Sequence, residues 1–319
     1  MTRRSTFAFL LVVLGAWAGA CTPPVEDTAI RRGDRAFAAD SLDEALAEYQ
    51  LAVRQGEDSP EVLARVAHTF ARLGRVDPAA DFYRRAAESD QSYADQGAAD
   101  LMHLAREAQE GNDRFRMATA VVQALELRPG LGLGDLALPL ARHFFRNGEY
   151  GRALPLYRRV LVAADTAPRI LFEVGQAYEE TGDCRQALLF FERFRAEAPR
   201  DQRSEADWHI GTCGFEIARG LLARSDRAGG GADLDEALRM INRTIAVGVP
   251  RPLQAQAWFH RGEILATLGD CAGAMDAFDQ VGSLELGGAG ALASQARARY
   301  DAILFGRGLS SLRSSNRCY

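Results

Sequence analysis

The sequence predicts an all-α protein, built as a stack of about seven helix hairpins and closed by one C-terminal helix. Three observations lead to this class. Apolar residues recur three and four positions apart along most of the chain, which is the spacing of amphipathic helices. Turn residues such as Gly182-Asp183 break these segments at regular intervals, and no segment alternates apolar and polar residues like a strand. Small residues such as Ala45 and Ala79 recur 34 positions apart, which indicates an internal repeat.

The N-terminal 20 residues have the layout of a secretory signal peptide. Two arginines precede an apolar stretch over residues 7–17, and small residues lead into Cys21. A cysteine directly after Ala-Gly-Ala resembles the lipobox of bacterial lipoproteins, which implies acylation of Cys21 after cleavage. The alternative is an ordinary cleavable signal with an incidental cysteine.

Residues 21–28 follow as a short tether, because Pro23 and Pro24 exclude a helix there. The lipoprotein resemblance implies an outer-membrane location facing the periplasm, since Thr22 rather than aspartate follows the cysteine.

The clearest hairpin covers Pro168–Asp201, where two amphipathic segments flank Gly182-Asp183. Gly175 and Ala187 are small where the two helices must approach each other, and Tyr178, Phe191 and Phe194 fill the space between them. This order of small and aromatic residues resembles the tetratricopeptide repeat (TPR) pattern. A single hairpin cannot bury its own apolar face, so similar hairpins should stack on it. The resemblance implies that this stack is a right-handed α-solenoid.

The TPR resemblance extends over nearly the whole chain after the tether. The expected repeats lie near residues 26–59, 60–93, 98–131, 134–167, 168–201, 205–250 and 255–288, with a capping helix at 289–305 and a flexible tail at 306–319. The third repeat is degenerate, and we expect a longer connection near Gln91–Gly97. The sixth carries an insertion at Arg219–Ala232, which should extend its first helix and end in a glycine loop.

Composition and motifs argue against several function classes. A formal net charge of −5 is unlike that of a nucleic-acid binder. No HExxH, GxSxG, Walker loop or paired CxxC occurs, so we expect neither an enzyme nor a bound cofactor. The glycines of Gly130–Gly134 fit a turn between repeats. The five histidines fall one per repeat and are too scattered for metal ligation, so no metal site is predicted.

Four cysteines remain besides Cys21, and an exported chain meets an oxidising compartment. Cys184 and Cys271 occupy the same Gly-Asp-Cys position at the start of a second helix. In a TPR stack that helix packs on the first helix of the next repeat, which favours a Cys184–Cys213 disulfide and leaves Cys271–Cys318 as the second pair. The alternative is that all four are small, reduced core residues.

The TPR resemblance also implies a groove lined by first helices, in which such proteins bind extended segments or partner helices. Three arginines of the middle repeats could grip carboxylates of a peptide, and Phe145 between two of them is the leading binding residue. The alternative is that the aromatic residues are core and the arginines solvated. The lining positions are Arg106, Arg142, Phe145, Arg146, Phe172, Gln176, Glu179, His209, Glu216, Phe259 and Glu263.

Together these features predict a membrane-anchored periplasmic TPR adaptor that binds an envelope protein or peptide segment. The arrangement resembles TPR lipoproteins of outer-membrane protein assembly and pilotins, although repeat number and the sixth-repeat insertion differ from both. A secreted, unlipidated protein that binds small ligands or glycan fragments is the alternative.

Overall fold

The computed structural model describes residues 27–163, 167–228, 231–285 and 290–305, together with residue 318. Within these ranges the chain forms fifteen α-helices and one 3-10 turn at Gly134–Leu136, and no strand. The all-α class is confirmed. The predicted signal peptide, the acylated Cys21 and the tether up to residue 26 lie outside the described residues, as does the predicted tail except for Cys318. No helix in the described ranges is both long and apolar enough to cross a membrane.

The helices follow one another as antiparallel pairs, and the first and second members of each pair are called first and second helices here. The pairs are α1 (Ala29–Ala38) with α2 (Leu42–Arg54), α3 (Pro60–Arg72) with α4 (Val76–Ser89), α5 (Ser92–Glu110) with α6 (Arg114–Leu127), α7 (Ala137–Arg146) with α8 (Tyr150–Ala163), α9 (Pro168–Glu180) with α10 (Cys184–Glu197), α11 (Arg203–Ala228) with α12 (Gly231–Val247) and α13 (Arg251–Leu268) with α14 (Cys271–Leu284), followed by α15 (Ala291–Phe305).

The chain divides into two compact units, which are described separately. The N-terminal unit contains the residues up to 104 and residues 122–131, and the C-terminal unit contains residues 105–121 and those from 132 onward. In the N-terminal unit, α3 packs on α4 and on α2. In the C-terminal unit, α9–α12 pack in sequence order and α15 packs on α14.

Glycines of the first helices lie against aromatic rings of the second helices. A Cβ atom added to Gly175 would lie 2.7 Å from the ring of Phe191, and one added to Gly262 would lie 2.6 Å from the ring of Phe278. In the N-terminal unit Gly33 has the same relation to Tyr49. Because the rings occupy the volume of a missing side chain, only glycine permits this packing.

In the fifth and seventh helix pairs, the turn is built by a glycine and an aspartate. Gly182 has a φ of +80°, which is a left-handed conformation that favours glycine. The next residue, Asp183, accepts a hydrogen bond from the backbone N–H of Gln186 at 3.1 Å and so caps α10. Asp270 caps α14 in the same way through Gly273 N–H at 2.9 Å. The Gly-Asp-Cys motif is therefore a helix-start signal in both places.

The start of α5 differs from the prediction, whereas the length of α11 agrees with it. The expected long connection near Gln91–Gly97 is wrong, because α5 already begins at Ser92 and the extra residues form its first turns. Buried Ala94 and Ala98 hold these turns in the core. The extension of the sixth first helix is confirmed, since α11 has 26 residues. Gly229 and Gly230 of the predicted glycine loop lie outside the described residues.

The C-terminal helix α15 covers the last hairpin. Its Ala296 is fully buried in one cluster with Leu265, Phe278 and Val281 of α13 and α14. The predicted capping role of this helix is confirmed, because the apolar side of the seventh hairpin would otherwise face water.

Candidate partner-binding face

Ion pairs join consecutive first helices in both units, and we call this series the first-helix ladder. In the N-terminal unit, Arg65 Nε of α3 lies 3.1 Å from Asp34 Oδ1 of α1. His68 Nδ1, one turn further along α3, lies 2.6 Å from Asp100 Oδ2 of α5. In this unit the ladder therefore ties α1 to α3 and α3 to α5 through polar side chains.

The ladder continues within the C-terminal unit. Arg142 Nε of α7 donates to both carboxylate oxygens of Glu173 on α9, at 3.2 and 3.0 Å. Glu179 on α9 lies 2.5 Å from Nδ1 of His209 on α11. Outside the ladder, Glu263 on α13 lies 2.9 Å from Arg299 on the capping helix α15.

Tyrosines of second helices support the carboxylates of the ladder. Tyr49 donates to Asp34 at 2.7 Å, Tyr83 donates to Asp100, and Tyr157 donates to Glu173 at 3.0 Å. Burial raises the pKa of all three phenols, and the neighbouring carboxylate raises it further. The hydroxyls therefore stay protonated and act as fixed donors.

Two of the three predicted groove arginines are engaged within the chain. Arg142 is bound to Glu173, whose side chain is only 16% exposed, and the pKa of Arg142 is raised by that hydrogen bond. Arg106 lies 3.7 Å from Asp135. The expectation that these side chains are free to bind a peptide is therefore wrong for Arg142. Arg106 is half exposed and has one acidic neighbour, so its availability stays a prediction.

Arg146 is exposed and has no ion pair in the described part of the chain. It lies one helical turn after Arg142 on α7, while Gln176 lies about one turn after Glu173 on the adjacent α9. The next position of the ladder after Arg142–Glu173 would therefore place the Arg146 guanidinium opposite the neutral amide of Gln176. This place in the ladder leaves one positive charge uncompensated.

Phe145 is partly buried rather than free on the surface. Its ring packs edge-on against Tyr150 and Tyr157 of the next helix, with centroid distances of 5.5 and 6.3 Å. The exposed remainder of the ring lies beside Arg146 in sequence, so it can contribute apolar surface to a contact that Arg146 begins.

Phe172 is a core residue, and its assignment to the groove lining is wrong. It is only 5% exposed, and its ring lies 5.0 Å from that of Phe194 and 5.5 Å from that of Phe191. The ring turns into its own hairpin because the second helix offers two aromatic partners there. Position in the repeat did not distinguish this orientation.

The remaining predicted positions differ in accessibility. Glu216 is exposed and bound to Arg219 of its own helix at 2.8 Å. Phe259 lines a cavity of about 440 Å³ between α13 and α15, together with His260 and Leu292. Burial raises the pKa of Glu263, and the nearby Arg299 opposes that rise.

Trp208 is a candidate residue that the sequence analysis did not place in the groove. Its side chain is 50% exposed and lies on α11 next to His209, whose ring centroid is 5.1 Å away. Exposed tryptophans are enriched at binding hot spots. The signal available in the sequence was a tryptophan one position before the predicted lining residue His209.

The N-terminal unit has a cavity of its own. About 380 Å³ lies between α1, α3 and the start of α5, lined by Phe37, Tyr93, Arg65, His68 and Glu61 among others. The lining mixes aromatic rings with both signs of charge. None of these residues was predicted as a binding residue, because the prediction concentrated on arginines of the middle repeats.

The structure contains both of the disulfide pairings that were predicted. Cys184 at the start of α10 is bonded to Cys213 of α11, with Cα atoms 5.0 Å apart. Cys271 at the start of α14 is bonded to Cys318, with Cα atoms 5.5 Å apart. Among the described residues no group of three or more histidine, cysteine or acidic side chains is placed to hold a metal ion.

A sequence profile of the tetratricopeptide repeat matches residues 30–94, 138–202 and 222–282, which together exceed half of the chain. This chain belongs to the tetratricopeptide repeat family. The first two matched ranges cover α1–α4 and α7–α10, and the third begins within α11 and ends within α14. Proteins of this family are in general interaction scaffolds rather than enzymes, and they bind partners on extended surfaces.

Solved structures also match parts of this chain at low identity. The C-terminal part of a TPR repeat-containing protein from Cytophaga hutchinsonii is 17% identical, with 84% of this chain and 98% of that one covered and a TM-score of 0.33. YrrB, described as a TPR protein with an unusual peptide-binding site, is 18% identical (69% and 99% covered, TM-score 0.33). MamA is 17% identical (56% and 92% covered, TM-score 0.31). No curated protein matches the sequence.

Proposed function

We propose that this TPR protein is an adaptor that holds an acidic segment of a protein partner on the first helices of its C-terminal unit. The observation that carries the proposal is Arg146, the one charged lining position without an ion pair in the described chain. An uncompensated guanidinium favours a carboxylate of the partner, which it can bind with two parallel hydrogen bonds.

The partner segment would extend along the ladder from Arg146. Gln176 offers an amide donor and acceptor to a peptide backbone, and Trp208 offers an exposed ring further along the adjacent first helix. Interface energy commonly concentrates in a few aromatic and arginine residues. We infer that these three side chains form the contact.

The proposed location is the periplasmic face of the outer membrane, with the chain held by lipid on Cys21. The support is the signal-like N-terminus and the lipobox-like Ala-Gly-Ala-Cys in the sequence. A role in envelope or outer-membrane protein assembly would follow from that location. Substituting Cys21→Ala should move the protein from the membrane to the soluble fraction; retention in the membrane would contradict the lipid anchor.

The binding proposal is tested by Arg146→Glu in the full chain. Crosslinking and affinity recovery from intact cell envelopes should yield at least about fivefold less partner, because an attractive charge pair becomes a repulsive one. Helical content should not change, since Arg146 is exposed. Arg159→Glu, an equally exposed substitution on the second helix α8, is the matched control and should leave recovery unchanged.

Equal loss in both variants would indicate a general charge effect and would refute the assigned face, as would normal recovery with Arg146→Glu. Arg142→Glu is unsuitable for this test. It would leave the poorly exposed Glu173 facing a second carboxylate and would destabilise the fold itself.

A binding protein for small ligands or glycan fragments is the second candidate. The cavity of about 380 Å³ in the N-terminal unit favours it, because small-molecule sites commonly have volumes of this order. Recovery of no protein partner by the unsubstituted chain, with Cys21→Ala causing no change in fractionation, would support this candidate over the adaptor.

A further inference from the structure

The extended helix α11 builds a cavity that has no counterpart in the groove prediction. An open cleft of about 660 Å³ lies between the α9–α10 turn and one face of α11, on which Thr212, Glu216, Gly220 and Arg224 follow at intervals of four residues. The insertion supplies the far end of this wall, since α11 continues to Ala228. Cavities of this volume accommodate molecules of drug or tripeptide size.

The Cys184–Cys213 disulfide opens into this cavity at one sulfur only. Cys184 lines the cavity and is partly exposed, whereas Cys213 is completely buried in the core of α9–α11. Thiol–disulfide exchange requires a thiolate to reach one of the two sulfurs. Access therefore decides the direction of attack, because a nucleophile can approach Cys184 and cannot approach Cys213.

The cavity carries both signs of charge around Cys184. Arg185 and Arg224 supply guanidinium groups, and Asp183, Glu216 and Glu179 supply carboxylates. Arg185 also pairs with Glu236, and Arg224 lies 3.8 Å from Asp233, but both arginine side chains remain 55% exposed and have further donors to offer. Glu216 is already bound to Arg219, and Glu179 to His209, so Asp183 is the acid that stays open to a cation. Such a lining matches a small zwitterion, with carboxylates toward the arginines and an ammonium toward Asp183.

We propose that Cys184 is a modification site for a small zwitterionic thiol of the glutathione class. The thiolate attacks Sγ of Cys184, a new disulfide forms between the two, and the bond to Cys213 breaks. The incoming sulfur is oxidised to the disulfide level and Cys213 is reduced, so no further oxidant or reductant is needed.

The released Cys213 sulfur takes up a proton and remains a thiol. It is buried, and Oε1 of Glu179 lies 3.9 Å away. Burial and a nearby negative charge both disfavour a thiolate. Because only a thiolate attacks a disulfide, the return attack of Cys213 is slow and the adduct on Cys184 persists.

The Cys271–Cys318 disulfide is an internal control. Cys271 follows the same Gly-Asp turn, but Ala272 stands where Arg185 follows Cys184. The two thiols differ in intrinsic reactivity, but this difference acts equally on both disulfides. It therefore cancels in the ratio of the two rates measured in one sample. The ratio then reports how each thiol is accepted by the surroundings of Cys184.

The experiment exposes the full, oxidised chain to reduced glutathione or to 2-mercaptoethanol, which has no charge. Mass spectrometry of peptides prepared without reduction then locates each adduct over time. We expect adducts on Cys184 and none on Cys213. The ratio of the Cys184 rate to the Cys271–Cys318 rate should be about three- to fivefold higher with glutathione, as expected for exposed charge pairs.

Arg185→Gln with Arg224→Gln should reduce this ratio to the value seen with 2-mercaptoethanol. Arg193→Gln, on the same helix as Arg185 and bound only to Glu197 there, is the matched control and should leave it unchanged. An adduct on Cys213, no adduct on Cys184, equal ratios for the two thiols, or four free thiols before addition would each overturn the proposal.

Discussion

At the scale of single residues, His260 shows how burial sets a pH response. Its imidazole lies beside Phe215 and Phe259, with centroid distances of 5.8 and 6.1 Å. Burial lowers the pKa of His260 from its usual 6.5, and the charge of Arg219 lowers it further. The folded chain therefore favours the neutral ring.

Stability should fall as the pH drops below about 6.5, because protons then bind the unfolded chain more readily than the folded one. Replacing His260→Gln should make the free energy of unfolding less dependent on pH between about 7.5 and 5.5. Urea titrations at several pH values measure this. An unchanged slope in His260→Gln would contradict the assignment.

The pairing of the cysteines was predicted correctly from the sequence, whereas the orientation of the Phe172 ring was not. The cysteine pairs followed from repeat position, because Cys184 and Cys271 lie at the helix starts that the Gly-Asp turns define. Phe172 was misassigned because a ring at one helical position can turn into its own hairpin or toward a neighbour. That choice depends on Phe191 and Phe194 of the second helix, which no single-helix pattern includes.

At the scale of elements, helix pairing depends on the glycines that face aromatic rings. In Gly175→Ala the new methyl group would lie 2.7 Å from the ring of Phe191, which is fully buried and cannot withdraw. We expect the substitution to destabilise the protein by about 1–3 kcal/mol through overpacking. Thermal and urea unfolding measure the loss.

Gly220→Ala is the matched control for that substitution. Gly220 also lies within a helix, but a Cβ there meets nothing within 4 Å. This change should be neutral or stabilise the protein by up to about 1 kcal/mol, because alanine favours the helix. Equal effects at the two glycines would show that helix propensity, and not the contact with Phe191, decides the outcome.

Helix boundaries were predictable where a turn residue marks them and not where it is absent. The turns at Gly182-Asp183 and Gly269-Asp270 lie where the sequence placed them. The start of α5 was missed because extra residues in a repeat can lengthen either a loop or a helix. Buried Ala94 and Ala98 decide for the helix, and their burial is a tertiary property.

At the scale of the whole molecule, the hairpins contact mainly their neighbours in sequence. Stability in such arrays is approximately a sum of repeat and nearest-neighbour terms. Gly175→Ala should therefore accelerate amide hydrogen exchange in α9, α10 and the adjacent α11. Exchange in α1–α4 should stay unchanged. Hydrogen-exchange mass spectrometry measures each helix separately, and uniform acceleration throughout would indicate one cooperative unit instead.

The first-helix ladder has a consequence for what a partner encounters. The acids and bases of the ladder are already paired with each other within the chain. These pairs therefore add little net charge to the face, although they contain many ionic groups. A partner gains by meeting the few groups left over and loses wherever it must separate an existing pair. A partner that binds this face therefore exchanges some ion pairs for others, with little net gain in charge attraction. Shape and register select the partner more than long-range attraction does.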